Sequence, residues 1–247
     1  MTETGTSKYR DTKIFSSVFP SFPQLGVIIF LSLNISLIYK TTEIRNSMII
    51  AVVNYKGGVG KTTSSVYLAL AGTHAGYETT IADTNADGSA AEWIEVGKSN
   101  GWADATVVAE VPSTRLLSQL LEDGVGEKEI VIIDTPPNST EFAELAMSFA
   151  DVIVIPTRVG GTEVARVSAT LKAAPSGKPR GLVVCAARAR TGDLAETIAS
   201  WESVGENVWG VVPERVGIAK GLFAGPHSDG VKAYGRVLDK AIASRGV

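Results

Sequence analysis

A glycine-rich segment flanked by two lysines, residues 54–63, carries the clearest chemistry in this chain. It reads Asn-Tyr-Lys-Gly-Gly-Val-Gly-Lys-Thr-Thr and directly follows a run of valine and isoleucine. Gly57, Gly58 and Gly60 allow backbone N–H groups to converge on phosphate oxygens without obstruction by side chains. A helix that begins near Lys61 would add its unpaired N–H groups and the positive end of its dipole. The segment therefore predicts a site for the phosphate chain of a nucleotide.

The first of the two lysines distinguishes this loop from the standard phosphate-binding pattern. That pattern requires glycine at the position of Tyr55. The run Lys-Gly-Gly-Val-Gly-Lys-Thr-Thr instead resembles the deviant Walker motif of the ParA/MinD family of ATPases. The resemblance implies that the chain binds ATP with Mg²⁺. The nucleotide-binding residues expected in this loop are Lys56, Gly57, Gly58, Val59, Gly60, Lys61, Thr62 and Thr63.

Each side chain of the loop has an expected role. Lys61 is expected to bridge the β- and γ-phosphates, Thr62 to ligate Mg²⁺ through its hydroxyl, and Thr63 to reach the α-phosphate. By the resemblance, Lys56 is catalytic: it reaches across a two-fold interface to the phosphates bound by a partner copy, as an arginine finger does. This implies an ATP-dependent homodimer with the same surface on both subunits. The alternative is that Lys56 is an ordinary solvated loop lysine.

An aspartate follows each of two apolar runs. Asp134 ends one of them and Asp83 ends the other. Ligands bind at the carboxyl ends of the strands in open α/β sheets. The run Ile-Val-Ile-Ile-Asp-Thr-Pro-Pro around Asp134 resembles the family's Walker B motif, which implies that Asp134 holds Mg²⁺, usually through a water. The alternative is an aspartate that caps the next helix.

Residues 83–93 resemble the second acidic motif of the family, D-x-D-P-Q-G-S, with one important departure. Asp83 matches the first aspartate, and the resemblance assigns it to the metal site and to catalysis. Asn85 stands in place of the second aspartate, which in the family helps to position the attacking water. Asparagine can orient a water but cannot accept its proton. We therefore expect slow or absent hydrolysis, unless Asp87 takes the role from two residues away.

Basic and polar residues near the end of the chain predict an adenine pocket and a second binding surface. Arg188 either stacks on the adenine or lies on the surface, and Pro213 and Glu214 resemble the segment whose backbone reads the adenine edge. A basic cluster is a candidate for salt-sensitive, non-specific DNA binding, as in ParA-like members of the family, with ordinary helix surface as the alternative. Its members are Arg188, Arg190, Arg215, Lys220, Lys232, Arg236 and Lys240.

The elements that must position these residues alternate between strands and helices. Short runs rich in valine and isoleucine are typical of buried parallel strands, and amphipathic segments lie between them. This alternation predicts an α/β P-loop NTPase fold, with a doubly wound, mainly parallel sheet and helices on both faces. The predicted strands are 48–54, 79–83, 129–135, 151–157, 180–187 and 208–212. The predicted helices are 61–75, 88–97, 113–122, 138–149, 163–174, 192–204 and 229–244.

The N-terminal residues 1–47 differ from residues 48–247, which are expected to form the ATPase domain. The first part contains no alanine, whereas the second contains 28. Its apolar stretch from Leu25 to Tyr39 is shorter than the roughly 20 residues of a spanning helix. Three interpretations are open: an apolar membrane anchor within residues 19–39, a disordered arm, or a segment outside the working protein, with translation starting at Met48. A cleavable signal peptide is disfavoured.

Composition limits the class of protein. The net charge of −3 argues against a uniformly basic protein, and the one cysteine, Cys185, rules out a disulfide framework within the chain. A cytoplasmic location with nucleoid association is expected. A reductase resembling the nitrogenase iron protein is almost excluded, because each of its subunits supplies two cluster cysteines.

The function expected from the resemblance is that of a partition ATPase that dimerises with ATP, binds non-specific DNA and positions a plasmid, a chromosome or another cargo. A ParB-like or other partner protein would stimulate its hydrolysis. One alternative is a MinD-like ATPase on the membrane surface, which would need residues 19–39 as an anchor. Another is an ATP-binding switch that Asn85 has left with little hydrolysis, and a metabolic ligase built on the same loop is a further possibility.

Overall fold

The computed structural model describes residues 47–102, 106–188, 191–214 and 229–245. Seven strands and seven helices alternate strictly along these residues. The strands are β1 (Met48–Val52), β2 (Glu78–Asp83), β3 (Thr106–Glu110), β4 (Glu129–Asp134), β5 (Val152–Thr157), β6 (Arg180–Ala187) and β7 (Val208–Pro213). The helices are α1 (Lys61–His74), α2 (Ser89–Ser99), α3 (Thr114–Glu122), α4 (Thr140–Phe149), α5 (Gly161–Ala173), α6 (Gly192–Ser203) and α7 (Asp229–Ser244).

The seven strands form one parallel sheet in the order β3-β2-β4-β1-β5-β6-β7. Two hydrophobic clusters cover it: one contains residues of α1, α2 and α7, and the other contains residues of α3, α4, α5 and α6. The central strands β1, β4 and β5 are almost fully buried, as valine- and isoleucine-rich strands covered on both faces must be. The predicted doubly wound P-loop fold is confirmed.

Strand β3 was missing from the sequence prediction. It pairs with β2 at the edge of the sheet. Its residue Val107 is 59% exposed. An edge strand of five residues has little of the continuous apolar character that identified the other six. The predicted strands and helices otherwise have observed counterparts whose ends differ from the prediction by at most two residues.

Helix α7 supports helix α1, which follows the glycine-rich loop. Tyr234 of α7 stacks on Tyr67 of α1 with ring centroids 5.7 Å apart and an interplanar angle of 3°. Tyr67 also forms a T-shaped contact with Trp93 in α2, with ring centroids 6.4 Å apart. Ser64, one turn into α1, shares a buried hydrogen bond of 2.8 Å with the Tyr234 hydroxyl. The last helix thus packs directly on the first one through stacked rings and a buried hydrogen bond.

No helix in the described ranges is long and apolar enough to cross a membrane. The apolar stretch 25–39, named above as a possible anchor, lies outside the described residues.

The packing of α7 on α1 predicts opposite effects for two glycines of the same helix. A Cβ at Gly230 would lie 2.4 Å from the Tyr67 ring, so Gly230→Ala should lower the free energy of unfolding by about 1–3 kcal/mol. A Cβ at Gly235 meets nothing within 4 Å in the described part of the chain, so Gly235→Ala should be neutral or stabilising by up to about 1 kcal/mol. Chemical denaturation of both variants checks this. Equal stability of the two would contradict the close packing at Gly230.

Candidate functional site

The carboxyl ends of three neighbouring strands bring the predicted residues together. In the register of the sheet, Val52 at the end of β1 is opposite Asp134, and Asp134 is opposite Asp83 at the end of β2. The glycine-rich loop continues from β1 over this same edge. Residues from three separate sequence motifs therefore share one site, as expected for parallel strands that end together.

The backbone of the loop explains its glycines. Gly58 and Gly60 have φ values of 72° and 100°, a left-handed conformation that favours glycine, and Gly60 directly precedes α1. A Cβ at Gly57 would lie 3.3 Å from Cβ of Pro137, so the loop passes close to the segment after β4. Asn54 fixes the loop's start: its Nδ2 donates to the Pro156 carbonyl at 2.8 Å.

Lys61 is buried at the first position of α1. Its Nζ donates to the backbone carbonyl of Lys56 at 2.9 Å, so the side chain curls over the loop. Burial lowers its pKa, and the charge of Asp134 opposes that shift. An ammonium group held at a glycine-rich loop is suited to an anion with several oxygens. Thr62 and Thr63 follow it in the first turn and are half-buried.

The Lys56 side chain extends away from the glycine-rich loop, toward α5. Its backbone N–H donates to Asn54 Oδ1 at 2.9 Å, and its Nζ forms an ion pair with Oε1 of Glu163, in the first turn of α5. The Lys56 side chain is 29% exposed and the Glu163 side chain 6%. The structure therefore places the predicted trans-acting lysine in a contact within its own chain.

Asp83 is buried and accepts backbone hydrogen bonds from the turn after β2 and from the start of α2. Its Oδ2 accepts from the Ala90 N–H at 2.9 Å, near the start of α2, and its Oδ1 accepts from the Asn85 N–H at 3.0 Å. The Ala90 N–H belongs to the first turn of α2, where the positive end of the helix dipole lies. The glycine that precedes α2, Gly88, has φ of 63° and permits the turn.

Asp134 is also completely buried, and its pKa is raised to about 7. Burial is the main cause, and the nearby charge of Asp83 adds to it. Hydrogen bonds from Thr62 and Ser65 act in the opposite direction, with Ser65 Oγ donating to Oδ1 at 3.0 Å. The site therefore holds a carboxyl group that gains strongly from any cation placed beside it.

Asn85 lies between the two aspartates. Its Nδ2 donates to Oδ1 of Asp83 and to Oδ2 of Asp134, at 2.9 Å in each case. An aspartate at this position would have no side-chain N–H to donate and, without a cation in the site, would add a third negative charge. Asp87, the alternative residue for water positioning, is exposed in the turn that follows. Asparagine is thus the residue that this pair of carboxylates accommodates.

The predicted adenine-pocket residues also meet one another. Arg188 Nε donates to Oε2 of Glu214 at 2.8 Å, and the Glu214 N–H donates to the Ala187 carbonyl at 2.8 Å. The side chains of Arg188 and Glu214 are 79% and 53% exposed, and Pro213 ends β7 beside them. The ends of β6 and β7 therefore form an open rim.

The basic cluster is only partly within the described residues. Arg190, Arg215 and Lys220 lie outside them. On α7, Lys232, Arg236 and Lys240 recur every four residues and are exposed, so they form a stripe along one side of the helix. We call these three residues the α7 basic stripe.

The site as built fits a nucleotide with a hard divalent cation. Two carboxylates and the Thr62 hydroxyl are oxygen ligands of the kind that Mg²⁺ prefers, and Mg²⁺ needs few protein ligands because it keeps several waters. In the described ranges, no group of three or more His, Cys, Asp or Glu side chains is arranged for a metal. The left-handed glycines and buried Lys61 would suit an anion.

Comparison with known proteins decides the family. The model described as the CobQ/CobB/MinD/ParA nucleotide binding domain matches residues 50–225. The chain belongs to this family. It is 38% identical over 133 residues to the maintenance of carboxysome distribution protein A of Gloeobacter kilaueensis, a match covering 52% of this chain and 58% of that protein. It is 26% identical over 239 residues to the chromosome-partitioning ATPase Soj of Thermus thermophilus, covering 78% and 95% of the two chains.

Solved structures share the fold of this family member. The ATP complex of a Cyanothece McdA variant superposes with a TM-score of 0.64 at 15% identity, over 82% of this chain and 97% of that one. The Mg-ADP complex of the septum site-determining protein MinD from Pyrococcus horikoshii gives 0.61 at 19% identity, over 78% and 95%. At these identities the likeness concerns the fold alone.

Sequence reasoning missed two residues of the site. Ser65 lies one turn after Lys61, which places it on the same face of α1, and this spacing was a usable signal. Glu163 gave no comparable signal, because it is 107 residues from Lys56 and belongs to no recognised motif. Its contact depends on where α5 docks.

The raised pKa of Asp134 predicts a pH-dependent loss of stability in protein free of nucleotide and divalent cation. An unfolded aspartate releases its proton near pH 3.9, whereas folded Asp134 retains it to about pH 7. The folded state therefore binds more protons in this window, and the free energy of unfolding falls as pH rises from about 4 to about 7. The total loss is on the order of a few kcal/mol, at about 1.4 kcal/mol per pKa unit.

Asp134→Asn keeps the shape of the side chain and removes its titration. Urea denaturation of both proteins with a chelator, between about pH 5 and about pH 8, should show a smaller decline for Asp134→Asn. Parallel pH profiles would show that Asp134 is already ionised in the folded protein at the lower end of this range.

Proposed function

We propose that this protein is a ParA-type ATPase that binds ATP with Mg²⁺, dimerises in the ATP state and positions DNA or another cargo. The observation that carries the proposal is the loop with two lysines, placed beside the paired carboxylates at the ends of β2 and β4. Two relatives are named for chromosome partitioning and for carboxysome distribution, and these names support a positioning role.

The loop residues would divide the phosphate chain among them. Backbone N–H groups from Gly57 to Lys61 face the phosphates, Lys61 exchanges its bond to the Lys56 carbonyl for β- and γ-phosphate oxygens, and Thr63 approaches the α-phosphate. Val59, which is fully buried, anchors the loop between these contacts. Pro213, Glu214 and Arg188 would border the adenine at the rim.

The metal site would consist of Thr62 and Asp134, with Asp83 supporting it. Bound Mg²⁺ would neutralise charge on the β- and γ-phosphate oxygens. Its arrival would also relieve the repulsion between the two aspartates and release Asn85 from bridging them. The freed amide can then orient a water by hydrogen bonds, although it cannot accept a proton from it.

Lys56 would complete the site of a partner copy. Phosphoryl transfer depends mainly on positioning and on stabilising the charge of the transferred group, and a cation brought by a second subunit supplies both. ATP binding, dimerisation and hydrolysis are thereby coupled, because no subunit has a complete site alone. A ParB-like or other partner protein would act by accelerating this step.

A nucleotide-gated binding switch is the second candidate, and the Asn85 contacts favour it. The side-chain amide of Asn85 donates to both carboxylates, so it links them and is not placed to accept a proton from water. In that case ATP would control dimerisation and cargo binding, with little hydrolysis.

The α7 basic stripe is the DNA-binding surface that the described structure supports. Its three side chains are exposed and regularly spaced, and phosphate contacts from lysine and arginine provide sequence-independent binding. Such binding would place the protein on the nucleoid. Helix α7 packs on α1, so the stripe belongs to the same rigid unit as the phosphate loop.

Phosphate release by the full chain tests the catalytic part of the proposal. With ATP, Mg²⁺ and non-specific DNA we expect slow turnover, at least about tenfold faster turnover for Asn85→Asp because a base is restored, and none above background for Lys56→Ala. Lys172→Ala, an exposed lysine of α5, is the matched control and should turn over like the wild type. If the wild type and Asn85→Asp both bind ATP but release no more phosphate than Lys56→Ala, the ATPase proposal is wrong and the nucleotide-gated switch takes its place.

DNA binding should follow the α7 basic stripe. With a non-hydrolysable ATP analogue, Arg236→Ala should weaken binding to any duplex sequence and reduce the dependence of log affinity on log salt by about 0.9, the value for one phosphate contact. Lys172→Ala removes the same charge from α5 and should change neither quantity. Fluorescence anisotropy between about 50 and about 200 mM salt measures both. An identical salt dependence for wild type and Arg236→Ala would exclude this arginine from the DNA interface.

A further inference from the structure

The ion pair between Lys56 and Glu163 occupies the lysine that the proposed function requires elsewhere. We infer that Glu163 is a positioning residue that holds Lys56 within its own subunit, and that dimerisation with ATP requires this pair to break. The inference rests on the proposed dimer in which Lys56 contacts the partner's nucleotide. It assigns to Glu163 control over how readily that dimer forms.

The backbone of Lys56 is held in place independently of its side chain. Its N–H donates to Asn54 Oδ1 at 2.9 Å, and its carbonyl accepts from Lys61 Nζ at 2.9 Å. Only the four-carbon side chain is free to change direction. It now extends to Glu163 Oε1, and a side chain of this length cannot contact Glu163 and extend away from the subunit at the same time.

Glu163 is held from its own side as well. It lies in the first turn of α5, where its N–H donates to the Gly160 carbonyl at 3.1 Å and the helix dipole favours a carboxylate. Gly160, which precedes the helix, has φ of 137°, a backbone conformation that favours glycine. The carboxylate is therefore fixed next to the loop before any nucleotide binds.

Burial makes the pair costly to break. The Glu163 side chain is only 6% exposed, and its second oxygen, Oε2, is buried without a hydrogen-bond partner among the residues the structure describes. When Lys56 leaves, a buried carboxylate loses the cation that neutralises it, and such losses are strongly unfavourable. ATP and the second subunit must supply enough binding energy to offset this. The pair therefore sets a threshold that keeps the protein monomeric when ATP is absent.

The pair also explains why a cation at position 56 does not disturb the free subunit. Lys56 and Lys61 are both in the same short loop, and their like charges would repel without a phosphate between them. Each lysine instead has its own partner, a carboxylate for Lys56 and a backbone carbonyl for Lys61. Glu163 thus neutralises the loop until phosphates do so.

Glu163→Gln tests the inference, since glutamine has the same shape and no charge. Charge-assisted hydrogen bonds are about twice as strong as neutral ones, so we expect the dimer dissociation constant with a non-hydrolysable ATP analogue to fall about tenfold. Analytical ultracentrifugation of the full chain measures it. The matched control is Glu141→Gln, the same change at an exposed first-turn glutamate of α4, which should dimerise like the wild type.

A second variant and a double mutant separate positioning from damage to the fold. Glu163→Asp withdraws the carboxylate by one methylene and should strengthen dimerisation less than Glu163→Gln, and it replaces that variant if glutamine prevents folding. In a Lys56→Ala background, Glu163→Gln should have no further effect on dimerisation. Loss of packing would instead weaken the dimer in either background.

The outcomes distinguish this inference from the proposed function. If the wild type dimerises with the ATP analogue and Glu163→Gln dimerises equally or less well, Glu163 does not restrain Lys56. If only Glu163→Gln dimerises, the restraint is stronger than we expect and the inference holds. If neither protein dimerises, both the ATP-dependent dimer and the role of Glu163 are overturned.

Discussion

The burial of two neighbouring carboxyl groups, Asp83 and Asp134, is the constraint around which the site is organised. They end neighbouring strands, they lie opposite each other in the sheet, and both are fully buried. Burial makes the charged form of Asp134 costly and is the main reason why its pKa rises to about 7, and the repulsion from the nearby charge of Asp83 adds to it. Neutral donors stabilise the pair in the free protein, with the amide of Asn85 between them. A divalent cation would bind here because it removes the same repulsion.

The two lysines of the loop show the same pattern with opposite charge. Lys61 is buried against a backbone carbonyl, and Lys56 is paired with Glu163. Every charge of the site thus has a substitute partner inside the subunit: an amide for the aspartates, a carbonyl for one lysine and a carboxylate for the other. Nucleotide and metal would exchange these partners for stronger ones. These contacts neutralise the charges of the free subunit, and a ligand would have to offset the cost of breaking them.

The sequence predicted the fold, and it predicted that the two aspartates would lie together, because both depend on local patterns. Strand β6 was predicted with both of its ends, and parallel strands that end at one edge necessarily bring Asp83 and Asp134 together. The edge strand β3 was missed because it is short and half exposed. The partners of Asn85 and Lys56 were also out of reach, because they depend on the register between β2 and β4 and on the docking of α5. Sequence motifs identified which residues meet, but not what each one contacts before the ligand arrives.

Helix α1 connects the two ends of the proposed mechanism through adjacent residues. Ser65 donates to Asp134 at the carboxylate pair, and Ser64 shares a hydrogen bond with Tyr234 on α7. The stacking of Tyr67 on Tyr234 continues this contact along the helices. A shift of α1 that accompanies a change of partners at Asp134 must therefore move against α7 or carry it along. Because the exposed basic stripe lies on the outer side of α7, the surface proposed for DNA is one packed layer away from the phosphate site.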